Sequence, residues 1–118
     1  MTRTARRGCA LSACLAVIVA VLLLQPLPEA VDFSLPHLDK LVHAAMFCTV
    51  ALPAMLGLPR RWHGLVWGLV LAYSGLIELV QPYFGRGAEW ADLAANGLGA
   101  GIALFLARVW RLKRAKLQ

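Results

Sequence analysis

The chain has 118 residues, 60% of them hydrophobic, with a mean hydropathy of +0.68. A water-soluble domain of this size is closer to half apolar, so the excess must face something other than water, and the length allows one compact unit. The net charge of +6 does not describe a nucleic-acid binder, because the basic residues flank apolar stretches and are not interleaved with aromatic rings for base stacking.

A spanning helix needs about 20 apolar residues. The first such segment covers residues 8–24, behind Arg3, Arg6 and Arg7. That pattern also describes a secretory signal. The usual small-x-small cleavage site is missing, however: Pro28 and Ala30 are the residues on offer after Leu24, so an uncleaved anchor is expected. Cys9, Cys14 and Cys48 lie inside apolar runs with no CxxC or Cys/His spacing, and read as small hydrophobes.

The second segment covers 41–58 and is preceded by Asp39, Lys40 and, one turn on, His43. Pro53 inside it is expected to bend the helix. A short turn carrying Arg60 and Arg61 leads to the third segment, 62–80, so these two helices are expected to form an antiparallel hairpin. The third helix carries a stripe of small residues, Gly64, Gly68, Ala72 and Gly75, and closes on Glu78-x-x-Gln81. A loop with Gly85, Arg86 and Glu89 enters the fourth segment, 91–109. Here Asp92 and Asn96 precede Gly97, Ala100, Gly101, Ala103 and Ala107. Lipid supplies no hydrophobic drive between helices, so small residues are expected on the contact faces, and the Gly64/Gly68 face is also a candidate for homo-oligomer contact. The fold expected is all-α: a four-helix transmembrane bundle.

Charge orients that bundle. With both termini in the cytoplasm, ten of the twelve basic residues lie inside, leaving only Lys40 and Arg86 outside, and all six acids fall on or beside the outer face. Trp62, Trp67, Tyr73, Tyr83, Trp90 and Trp110 fall mostly near the expected interfaces, as aromatic belts do. His37 and His63 fall in loops and receive no role. Ser12, Ser34 and Ser74 lie in no nucleophile elbow, and no Gly-rich phosphate loop is present.

The polar residues within the apolar chain converge on one end. The start of the second helix, the end of the third and the start of the fourth share one leaflet. One-turn spacing puts Asp39 with His43, Glu78 with Gln81, and Asp92 with Asn96. Asp39 and Asp92 have an ordinary explanation as N-caps or first-turn acids. Glu78 has none, since a carboxylate near a helix C-terminus opposes the dipole. It needs a partner such as Arg86, Lys40 or protonated His43, or a proton of its own. His43, Glu78 and Asp92 are the candidate acid–base groups. No HxxxH or similar local pair exists, so the sequence assigns no metal and no cofactor.

The ordered set DKxxH, ExxQ, Gly-Arg and Asp-x-x-x-Asn over residues 39–106 resembles the VanZ-like family. The resemblance implies a small bacterial inner-membrane, envelope-associated protein, in a family named for a protein linked to glycopeptide resistance. The matching positions are Asp39, Lys40, His43, Glu78, Gln81, Arg86, Asp92 and Asn96. The leading function is a binding or accessory protein that recognises an anionic lipid or envelope precursor at the outer face. The alternatives are an enzyme on a lipid-linked substrate, a small proton-coupled transporter using Glu78, and a purely structural bundle.

Overall fold

The structure is a computed structural model and describes residues 1–26 and 37–118. Glu29, Asp32, Ser34 and the residues Pro28 and Ala30, on which the expectation of an uncleaved anchor rests, lie outside the described residues. Four long helices follow in order: α1 (Arg3–Leu24), α2 (Leu38–Gly57), α3 (His63–Val80) and α4 (Trp90–Lys116). Short 3₁₀ turns, Arg60–Trp62 and Gln81–Phe84, flank α3, and no strand occurs among the described residues. All four helices are long and apolar enough to cross a membrane.

α1 and α4 outrun the apolar segments, while α3 matches its segment to within a residue. α1 starts at Arg3, where the Thr2 hydroxyl accepts from the Ala5 amide at 3.1 Å and caps the first turn. α4 continues past residue 109 to Lys116, with Lys113, Arg114 and Lys116 in its last turn, where cations suit the dipole. Hydropathy marks the part of a helix that lies in hydrocarbon, whereas the backbone continues until something breaks it. Pro59 breaks α2 in this way, just after the C-cap Leu58.

α2 and α3 meet across their short turn as expected, but this is not the main packing: α2 lies chiefly against α4 and α1, and α3 chiefly against α4. Small residues decide this. A Cβ placed on Gly99 would collide with the Ala44 backbone carbonyl, and one on Gly8 with that of Pro53, so α4 and α1 both approach the backbone of α2. Ala51, Ala54 and Met55 of α2 meet Ala100, Ala103 and Ala107 of α4 in one core. Val19, Leu23, Phe47, Val50 and Ile77 form a second. By contrast, a Cβ on Gly64 or Gly68 would meet nothing within 4 Å. The inward face of α3 is His63, Val66, Ser74, Ile77 and Glu78, not the small-residue stripe.

Side-chain hydrogen bonds link the helices. The Ala54 amide, next to Pro53, donates to Ser12 of α1 at 3.0 Å. Trp67 Nε1 donates to the Gly97 carbonyl at 3.1 Å, and the Tyr73 hydroxyl to the Ala16 carbonyl at 2.5 Å. These two aromatics, expected in the belts, thus act inside the bundle. Trp62, Tyr83, Trp90 and Trp110 are exposed at helix ends, as belt residues are. Arg111 of α4 reaches across to the end of α2, where its Nη2 donates to the carbonyls of Met55, Leu56 and Leu58, groups that a helix end leaves unbonded. His63, expected in a loop, is fully buried as the first residue of α3, with Nε2 3.3 Å from the Leu58 carbonyl.

Candidate functional site

At the end of the bundle opposite Arg111, the start of α2, the end of α3 and the start of α4 come together. Asp39 and Asp92 are first-turn acids; neither is an N-cap, those positions belonging to His37 and Glu89. Lys40 sits between the two helices. Its Nζ lies 2.7 Å from Asp39 Oδ2, 2.6 Å from Asp92 Oδ1 and 2.5 Å from Glu89 Oε2. One cation therefore clamps α2 to the start of α4 through three carboxylates.

Below it, one turn further into the bundle, His43 and Asn96 face each other, with His43 Nδ1 3.0 Å from Asn96 Oδ1. An amide oxygen only accepts, so Nδ1 donates in this contact, and the other ring nitrogen, Nε2, is left to other partners. That nitrogen lies 3.7 Å from Asp92 Oδ2. From α3, Glu78 enters the same space. Its Oε2 accepts from the Glu89 amide at 3.2 Å, while Oε1 is buried without a hydrogen-bond partner among the described residues. His43, Glu78 and Asp92 are all buried, and each offers one ligand-type atom within 4.8 Å of the others.

The other sequence candidates separate from this centre. Gln81 is buried, but its Nε2 donates to the Leu23 carbonyl at 3.2 Å and so ties the end of α3 to the end of α1. Arg86 is partly exposed and its side chain makes no ion pair among the described residues. The direct partner of Glu78 is thus the Glu89 main chain, instead of Arg86 or Lys40. Glu89 itself is the residue missing from the sequence-based site. It holds Lys40 with its carboxylate and Glu78 with its amide. The available signal was an acid directly before a predicted helix and three residues from Arg86.

A groove of about 520 Å³ runs between α3 and α4 and ends at Glu78 and Glu89. Its walls are apolar, with Ala72, Gly75, Leu76, Leu79, Pro82 and Leu93 among them, and Trp90 stands at its rim. Leu76, Leu79 and Trp90 are exposed, so the groove opens on the side of the bundle that faces lipid.

Four apolar spans enclosing an ionic and imidazole centre at one end define a small multi-pass membrane protein with a buried polar site. A sequence profile of the family described as VanZ/LLP1 matches residues 11–111. The chain belongs to the VanZ/LLP1 family, and the match extends over most of α1 as well as the three helices that carry the motifs. No curated protein and no solved structure matches it.

Proposed function

We propose that this protein is an envelope-associated protein of the bacterial inner membrane. In this reading it binds an anionic lipid or lipid-linked envelope precursor at its periplasmic face. The supporting observation is the α3–α4 groove: an apolar channel open to acyl chains that ends at a polar centre. Hydrocarbon lies along Gly75, Leu76 and Leu79, and the headgroup meets the loop that carries Arg86. Lys40 is committed to three carboxylates, which leaves Arg86 to receive a phosphate or carboxylate through its planar fork. The periplasmic assignment follows from charge, since ten of the twelve basic residues lie at the other end.

Native mass spectrometry from nanodiscs tests this reading. The wild type is expected to retain an anionic lipid, Arg86→Ala to release it, and Ala72→Trp, which fills the groove from an exposed position, to exclude it. Retention equal to wild type in both variants would sink the proposal. A second reading, an enzyme with His43, Glu78 or Asp92 as acid or base, draws on the unpartnered Glu78 oxygen beside His43. It predicts that Glu78→Gln abolishes function at normal membrane abundance, while the binding reading predicts that Arg86→Ala does more harm.

A further inference from the structure

We propose that His43, Glu78 and Asp92 bind one divalent transition-metal ion of the zinc or manganese type. Each of the three groups has one polar arm held by a partner and one left over, and one ligand-type atom of each lies close to the others. His43 Nδ1 is held by Asn96, which leaves Nε2 as the ligand. Asp92 Oδ1 is held by Lys40, which leaves Oδ2, 3.7 Å from that nitrogen. Glu78 Oε2 is held by the Glu89 amide, which leaves Oε1, buried and unpartnered among the described residues in a side chain only 7% exposed. Metal-binding imidazoles and carboxylates are ordinarily oriented by partners of this kind.

The spacing and the charge both fit. Two donors at about 2.1 Å from a shared ion in tetrahedral array stand about 3.4 Å apart. The His43–Asp92 separation is close to that, and one ligand-type atom from each of the three residues lies within 4.8 Å of the others. Asp39, Glu89 and Asp92 share a single lysine, and Glu78 adds a fourth carboxylate close to Asp92. A doubly charged ion between Nε2 and the two carboxylates would offset the excess of negative charge in this largely apolar surrounding. Imidazole with two carboxylates suits zinc or manganese better than calcium or magnesium, which favour all-oxygen sets. A water or a ligand oxygen would complete the coordination. Glu78 stands at the end of the α3–α4 groove, so the site borders it, but metal loading does not require the groove to be filled.

Metal loading of tag-free full-length protein in detergent micelles tests this. The protein is stripped with EDTA, exposed to Zn²⁺ or Mn²⁺ alone, desalted and measured for metal by mass spectrometry. One ion per chain is expected. Glu78→Gln, Asp92→Asn and His43→Gln should each lose it, while Asn96→Ala should bind about 10–100-fold more weakly. Helical circular dichroism confirms that the variants are folded. Co²⁺ on the wild type alone gives a reading that needs no variant: visible bands of a four- or five-coordinate ion support the site. The spectrum of hexaaqua cobalt, absence of a retained ion, or equal loading in the three ligand variants would overturn it. No lipid is added, so this outcome and that of the lipid-retention experiment are read separately.

Discussion

Lys40 shows how one side chain can decide whether a charged cluster is tolerable at a membrane interface. It is one-fifth exposed and contacts Asp92, which is 10% exposed, together with the more open Asp39 and Glu89. Removing one partner of a fully buried pair costs about 3–5 kcal/mol; the contact with water here brings that to about 2. Lys40→Met is therefore expected to lower the thermal unfolding midpoint in detergent clearly, because it leaves three carboxylates facing one another. Glu89→Gln removes only the 60%-exposed carboxylate and keeps the amide that holds Glu78, so its effect on the midpoint should be small. Trp67→Phe tests another single contact. The Gly97 carbonyl would lose its indole donor, and a loss of about 1 kcal/mol is expected in the same unfolding measurement.

Between elements, glycine position outweighs glycine number. α3 has three glycines and α1 only one, yet α1 and α4 are the helices that close on α2. Gly99→Val would drive a branched side chain into the Ala44 carbonyl, where backbone leaves no room to yield. A loss of at least about 1–3 kcal/mol, read as reduced membrane abundance and a lower unfolding midpoint, is expected. Gly68→Val meets open space and should leave the midpoint of the isolated chain unchanged. If Gly68→Val instead shifts a dimer to monomer on size-exclusion chromatography, the open Gly64/Gly68 face is the contact between copies.

At the scale of the molecule, the two ends are chemically opposite. The termini and the turn between α2 and α3 carry arginine and lysine, whereas the other end carries the carboxylate and histidine centre. The resulting orientation has a direct test. A periplasm-active reporter fused after Gln118 should be inactive, while one inserted at Gly87, in the loop before α4, should be active. The reverse pattern would put the site in the cytoplasm and remove the basis for an envelope ligand.

Four spans, their all-helical character and the family were legible in the sequence, because apolar length and flanking charge are properties of contiguous residues. Which end gathers the polar residues was legible too, since chain order alternates the helix ends. Three things came only with the tertiary structure. The inward face of α3 proved to be the His63–Val66–Ser74–Ile77 side, because helix rotation is set by what the neighbours can fit and not by where small residues accumulate. Glu89 joined the site through its main-chain amide, a group that every residue has and no motif records. Finally, the sequence expected His43, Glu78 and Asp92 at one end of the bundle, and the structure adds that one ligand-type atom of each meets the others within 4.8 Å. No local spacing encodes that meeting; close packing of α2 against α4 creates it.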